Sequence, residues 1–363
     1  MAQVSRRHVL LVLTVVVALI ATPVAPAHSG HRRNADVMTY NLYLGGDLTP
    51  ILTAQTFPEA VAAATGLYLQ VVSTDFHARA ASIAHEIEET SPALIGLQEV
   101  SLWQTDTPAD GPATPATEVA FDFLKILLQA LDDRGLDYAP VSVVENFDGE
   151  APTALGFDVR LTDRDVILAR TDLKTSQLKL SNSHAQNFET NLILPSPVLG
   201  PIEVLRGWNS IDVKVRGKDF RLVNTHLEAF SPAAQVAQAQ ELLAGPAGTS
   251  LPVVMAGDFN SAADGSTTPT YGILLDAGFT DAWSESQPGD PGFTCCQAAN
   301  LDNATPQLDE RIDLLLFRGG GFSAQEAEVV GEEQADRTPS GLWPSDHAGV
   351  FAELGFGPGP AGH

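Results

Sequence analysis

Cysteine is nearly absent from this 363-residue chain: there are two, at the adjacent positions Cys295 and Cys296. That scarcity argues against a thiolate zinc site and against a disulfide framework. Two neighbouring sulfurs leave a ring disulfide and a pair of free thiols equally open, and neither predicts catalysis. Positive charge is also scarce, with 20 Lys and Arg against 45 Asp and Glu and a formal net charge of −25. Such a surface repels nucleic acid and anionic membranes at long range, and it favours a cation wherever carboxylates converge. The chain has no Gly-rich phosphate loop of nucleotide-binding type and no nucleophile motif around a Ser or Cys. Beyond the N-terminus, no run is long and apolar enough to span a bilayer.

What is present begins with an export pattern. Ser5-Arg6-Arg7 is basic, His8 to Ala21 is almost wholly apolar, and Ala25-Pro26-Ala27 offers small residues for cleavage before His28. The pattern predicts a signal peptide over residues 1–27 and a secreted protein. Arg6-Arg7 fits a twin-arginine signal and the apolar run fits general secretion, so the route stays open. Hydrophobic residues make up 44% of the chain, enough for a large core over residues 28–354. The Gly/Pro-rich stretch 355–363 reads as a disordered tail.

Along the chain, short apolar runs of buried-strand type alternate irregularly with helical patterns, which suits an α+β layered domain. Asp36 to Leu44 reads as a strand. Thr49 to Asp75 reads as an insertion with helical patches, and His77 to Glu89 as a helix. Ala93 to Val100 is a strand with a carboxylate near its end, and Glu118 to Asp133 is a helix. Phe147 to Phe157 reads as loop and Ser181 to Asn191 as a polar surface hairpin. Trp208 to Val215 and Asp219 to His226 pair across a Gly217-Lys218 turn.

Eight polar groups stand at the ends of these apolar strands: Asn41, Glu99, His226, Asp258, Asn260, Asp313, Asp346 and His347. Burying a charge such as Glu99 without a partner is costly, and a metal would supply the partner. Carboxylate and amide oxygens suit a hard cation, Mg²⁺ first, with Mn²⁺ or Ca²⁺ as substitutes. Two His beside carboxylates suit proton transfer. A metal with a His-Asp base and no covalent nucleophile points to water attacking a phosphoester.

Six short segments carry these groups in order: Thr39-Tyr40-Asn41, Leu97-Gln98-Glu99-Val100, Asn224-Thr225-His226-Leu227, Gly257-Asp258-Phe259-Asn260, Arg311-Ile312-Asp313 and Ser345-Asp346-His347. Together they resemble the endonuclease/exonuclease/phosphatase superfamily over nearly the whole mature chain. The resemblance implies a four-layer α/β/β/α sandwich of DNase I-like type with its site at one end of two sheets. It implies that Glu99 and Asn41 hold a divalent metal, with Asp346 near it or near a second one. It further implies that Asp313 orients His347 as base, that Asp258 and Asn260 position water and phosphate, and that His226 stabilises developing charge. Arg164 and Asp165 stand where the family often carries Gly or small residues; they read as a local salt bridge first and as candidates for substrate contact second. The segment from Leu44 to Asp75 and the one around Cys295-Cys296 are not general family features.

The acidic balance favours a phospholipid or sphingomyelin head group as substrate, since a zwitterion needs no basic patch. The missing basic stripe disfavours a nuclease without excluding one. A small-molecule phosphatase would want pocket cations, for which Arg79, Arg164 and Arg206 are candidates, each reading first as a surface or structural ion pair. A non-catalytic binding protein of the same fold is the remote alternative. No protein partner is expected, and the chain is read as a monomer.

Overall fold

Residues 34–357 are described by a computed structural model. The first half runs β1 (Asn34–Asn41), α1 (Thr49–Leu52), α2 (Phe57–Ser73), α3 (Phe76–Thr90), β2 (Leu94–Gln98), β3 (Leu102–Asp106), β4 (Glu118–Asp122), α4 (Phe123–Asp132), β5 (Tyr138–Pro152) and β6 (Asp158–Arg170). The second half runs β7 (Leu178–Asn187), β8 (Leu192–Leu194), β9 (Ile202–Val204), β10 (Gly207–Val215), β11 (Lys218–His226), α5 (Pro232–Ala244), β12 (Val253–Asp258), α6 (Thr270–Asp276), β13 (Thr280–Asp281), α7 (Ala282–Ser286), β14 (Asp313–Arg318), β15 (Phe322–Val330) and β16 (Gly349–Phe356). The proposed signal peptide lies outside the described residues.

Two mixed sheets organise the described chain. One has the order β15-β16-β1-β2-β6-β3-β4, with β5 on the other edge of β6; the other has the order β13-β14-β12-β11-β10-β7. Three apolar clusters give the layering. Met38, Ile95 and Leu168 of the first sheet pack with Ile83 and Leu127 of α3 and α4. Val37, Leu94 and Ile167 meet Ile211, Leu222 and Val254 between the sheets. Val223, Met255 and Leu316 pack with Leu242 and Leu274 of α5 and α6. The result is helix, sheet, sheet, helix: an α+β sandwich whose buried strands read as near-continuous apolar runs because both faces are covered. Each fully buried Leu, Ile or Val there contributes about 1.5–3 kcal/mol.

The sheets are also stitched by amides. Asn224 Nδ2 donates to the Leu97 carbonyl at 3.1 Å, and Gln98 Nε2 donates to Asn224 Oδ1 at 2.7 Å. This crossing demands a glycine opposite: a Cβ at Gly96 would lie 2.5 Å from Asn224 Oδ1.

Several local readings need correction. Glu118–Asp122 is a strand, pairing antiparallel with β3, and the helix starts only at Phe123. Residues 147–152 are not loop but the second half of β5, held against β6 across a register shift. Ser181 to Asn187 is not a hairpin; it continues the edge strand β7 along β10, and its polarity reflects an exposed edge. A hairpin does follow, as β8 and β9. In each case long-range pairing overrode a polar local pattern. At the C-terminus, Gly355 and Phe356 belong to β16 rather than to a tail, and residues 358–363 lie outside the described residues. The Leu44–Asp75 segment forms α1 and α2; the latter opens on a Thr56/Glu59 capping box.

Candidate active site

Strand register delivers most of the candidate groups to one end of the sandwich. Asn41 ends β1 beside Gln98 of β2. His226 ends β11 opposite Asp258 of β12, and Asp258 in turn pairs with Asp313 of β14. Asp346 and His347 arrive on the loop before β16. Backbone strain gathers here: Tyr43, Glu99 and Asn260 hold φ of 56°, 55° and 47°. Left-handed conformations are uncommon for non-Gly residues and tend to cluster at functional sites. Arg79 is a buried clamp, not a substrate contact. It donates to the carbonyls of Leu42 at 2.7 Å, Pro344 at 3.0 Å, Thr74 at 2.9 Å and Tyr43 at 3.2 Å, and its guanidinium lies 4.8 Å from the Phe76 ring centroid. One cation thus ties the loop after Asn41 to the loop before Asp346.

Glu99, Asp163, Arg206, His226, Asp258, Asn260, Asp346 and His347 line a single cleft of about 310 Å³. Asn41 is bonded to two of them: its Nδ2 donates to Asp258 Oδ2 at 3.0 Å and to Glu99 Oε1 at 3.3 Å. The Leu44 amide donates to Glu99 Oε2 at 2.7 Å. His347 Nδ1 sits 2.8 Å from Asp313 Oδ2, while its Nε2 faces Asp258 Oδ2 at 3.8 Å and Asp346 Oδ1 at 4.0 Å. His226 differs. Arg206 Nη1 lies 3.0 Å from His226 Nδ1, and a guanidinium can only donate, so Nδ1 accepts and the proton belongs on Nε2. That Nε2 faces Asp258 Oδ2 at 3.5 Å. The Asn260 amide donates to Asp258 Oδ1 at 2.9 Å, and Asn260 Nδ2 to the Leu227 carbonyl at 2.9 Å.

Electrostatics separate the two imidazoles. Burial lowers His226 well below the usual histidine range, and Arg206 and His347 lower it further, so it is neutral. Burial also opposes charge on His347, but Asp313, Asp346 and Asp258 outweigh it and raise it well above that range. Burial, then Asp313, pushes Asp258 up to about 7. Asp346 is likewise raised by burial to about 7, with Glu99 adding to the shift. Burial and then Asp163 raise Glu99. These carboxylates are held near one another at a cost that a cation would relieve.

The donor set fits a hard divalent cation. Its donors are chiefly oxygens, and the buried atoms Asp163 Oδ1, Asp165 Oδ1 and Asp313 Oδ1 have no hydrogen-bond partner. Donor atoms of Asp258, Asp313 and His347 lie within 4.8 Å of one another, as do those of Asp163, Asp165 and His226.

The remaining expectations meet different outcomes. Arg164 does not face the cleft. It is buried, bonded to Asp122 Oδ1 at 2.7 Å and to the Val100 carbonyl at 2.8 Å, and serves as a structural ion pair. Asp165 is fully buried and takes a 2.8 Å hydrogen bond from Asn146, so it lies below the cleft and out of a substrate's reach. The side chain that does reach the cleft is Asp163, which the sequence reading passed over. Strand alternation was the available signal, since Asp163 and Asp165 share a face of β6 and Arg164 takes the other. Arg206 is the one Arg or Lys among the described residues lining the cleft, and Asp163 Oδ2 lies 3.8 Å from its Nη1. Cys295 and Cys296 are joined to each other, with Cys296 Sγ 4.0 Å from His347 Nε2.

Sandwich and cleft together define a phosphoesterase scaffold, and comparison with known proteins gives the family. Residues 38–347 match the model of the Endonuclease/Exonuclease/phosphatase family, and the chain belongs to it. Members are metal-dependent phosphoesterases. Among solved structures, a family protein from Bacteroides thetaiotaomicron is 16% identical, with a TM-score of 0.55 over 92% of this chain and 99% of that one. A mannosyl-6-phosphatase from Bacteroides thetaiotaomicron VPI-5482 is 18% identical, with a TM-score of 0.54 over 88% and 99%. A family structure from Beutenbergia cavernae is 20% identical, with a TM-score of 0.51 over 91% of this chain and 74% of that one. At these identities the likeness speaks for the fold. No curated protein matches the sequence.

Proposed function

We propose that the protein is an exported phosphodiesterase that uses a divalent metal, Mg²⁺ by preference, and acts on a phospholipid or sphingomyelin head group. The observation that carries the reading is the meeting of Glu99, His226, Asp258, Asp346 and His347 in one cleft. Glu99 and Asp346 would hold the metal, with Asn41 Nδ2 fixing Glu99 in place, and the metal when bound would neutralise phosphoryl oxygens. His347, oriented through Nδ1 by Asp313, takes the proton of an attacking water on Nε2 only in its neutral form, which the surrounding carboxylates shift toward higher pH. Asp258 and Asn260 position that water and the phosphate. Neutral His226 donates from Nε2 to charge developing on the phosphate or the departing oxygen, and Arg206 fixes that tautomer. Asp163 damps the charge of Arg206.

The choice of a diester rests on charge. A phosphomonoester carries about two negative charges at neutral pH, whereas this cleft lines many carboxylates with one arginine. Arg206 supports the competing reading, a sugar-phosphate monoesterase like the mannosyl-6-phosphatase above. Sphingomyelin, phosphatidylcholine, mannose 6-phosphate, RNA and plasmid DNA, each with Mg²⁺ and with chelator, decide between them. Chelator-sensitive release of phosphocholine supports the proposal. Faster cleavage of mannose 6-phosphate or of nucleic acid overturns the substrate assignment.

A further inference from the structure

The cleft is closed on one side by an apolar wall that it shares. Leu48, Leu52, Phe147 and Leu161 face both the cleft and a second cavity of about 910 Å³. That volume lies in the range of pockets that engulf small ligands, about 300–1,000 Å³. The α1–α2 segment covers it with Ile51, Phe57 and Val61, Trp103 and Val159 line it from the sheet, and Leu199 and Ile202 bound it from the β8–β9 hairpin. The apolar surface extends outward: Phe57 and Leu199 are 59% and 38% exposed, and Phe230, which lines the cleft, is 59% exposed.

Charge narrows the occupant. No Lys or Arg is among the described residues lining this cavity, whereas Asp110 and Glu203 line it from exposed positions, Glu150 from a half-buried one, and Asp148 as the partner of Arg160. A second phosphate, a free fatty-acid carboxylate or a nucleic-acid backbone would meet repulsion there. An uncharged hydrocarbon chain would not, and it would gain the full benefit of leaving water.

Resting on the phosphodiesterase reading above, we propose that this cavity takes the apolar chain of the substrate. The phosphoryl group lies at Glu99 and His347, and an uncharged alkyl or acyl chain continues past Leu48 and Phe147 beneath α1 and α2. Selection is then made by the chain as well as by the head group.

The test is a series of p-nitrophenyl phosphodiesters whose second ester is methyl, butyl, octyl or dodecyl, each below its aggregation concentration, with the mature protein and Mn²⁺. Full withdrawal from water gives up to about fourfold in kcat/KM per methylene, with a plateau once the cavity is full. Val61→Trp, which fills the cavity, and Leu199→Asp, which charges its edge, are expected to bring the octyl-to-methyl ratio toward one. Equal kcat/KM along the wild-type series overturns the proposal and leaves the phosphodiesterase reading intact. If no ester in the series is cleaved with Mg²⁺, Mn²⁺ or Ca²⁺, the catalytic reading fails. The cavity is then decided by binding: an octyl phosphodiester brominated on its chain should quench Trp103 fluorescence in wild type, with the quenching lost in Trp103→Phe. Quenching that is the same in both proteins, or absent from both, overturns the proposal.

Discussion

On one side of Leu48, Leu52, Phe147 and Leu161 lie carboxylates whose burial, reinforced by neighbouring carboxylates, raises Asp258 and Asp346 to about 7. On the other side lies a larger space lined mainly by aliphatic and aromatic carbon. The cleft is assembled from the ends of strands in both sheets, where register fixes each side chain to its neighbour. The cavity is assembled where α1, α2 and the β8–β9 hairpin, segments that leave and rejoin the sandwich, lie over the second half of β5 and parts of β3 and β6. On the proposals above, chemistry would sit on the strand ends and selection on the added segments, a division that would let substrate choice change without disturbing the catalytic geometry.

The comparison breaks most directly at the cleft. His347→Ala and Glu99→Ala are each expected to lower kcat/KM on bis-p-nitrophenyl phosphate about 10³-fold or more. Activity near wild type in either would mean that the cleft is not where the reaction occurs. Arg79 tests whether scaffold and chemistry are separable. Replacing it by Met leaves buried carbonyls unpaired and is expected to cost about 3 kcal/mol or more in urea unfolding. An unchanged midpoint would show that the loops bearing Asn41 and Asp346 do not need this tie. Asp313→Asn keeps the size of the side chain that orients His347 and removes its charge, so kcat/KM should fall about 10²-fold. Because Asp313 raises the pKa of His347, the acid limb of the pH–rate profile should move to lower pH. A limb that stays in place would take the base role away from His347.

The smallest effect concerns stability. Asp258 and Asp346 titrate at about 7 in the folded chain, against about 3.9 for an unperturbed Asp. A folded pKa above the unfolded one stabilises most at low pH, and that contribution is lost as pH rises through the folded value. The Tm of the metal-free protein should therefore have a component that declines from about pH 4 to about pH 7, with every 1 kcal/mol shifting Tm by about 1–2 °C in a protein of this size. Asp258→Asn should flatten that decline, and added Mg²⁺ should raise Tm more at high pH than at low. A wild type whose slope matches that of Asp258→Asn would contradict the strained-carboxylate account.

Legibility in the sequence followed the range of the interactions. Apolar runs such as Leu94–Gln98 and Val253–Asp258 announced buried strands, and the polar residues that end them announced the cleft. Short-range signals were weaker guides where pairing partners lie far away: β4 read as helix, the end of β5 as loop, and β7 as hairpin. Arg164 and Asp165 stood out as unusual charges, yet their partners Asp122 and Asn146 come from other strands. Asp163 stood beside them, and only the alternation of β6 around the gap between β2 and β3 brings it into the cleft.

The order of residue types along the chain thus determined the layered α+β class and the oxygen and imidazole chemistry, because buried-strand composition and unpaired charges at strand ends are local properties. Tertiary structure alone decided that burial and then Arg206 keep His226 neutral while Asp313 favours charge on His347. It alone decided that segments around residues 51, 103, 147 and 199 enclose a hydrocarbon-lined cavity. Hydrogen-bond partners and cavity walls are relations between distant segments, and no stretch of sequence contains both sides of them.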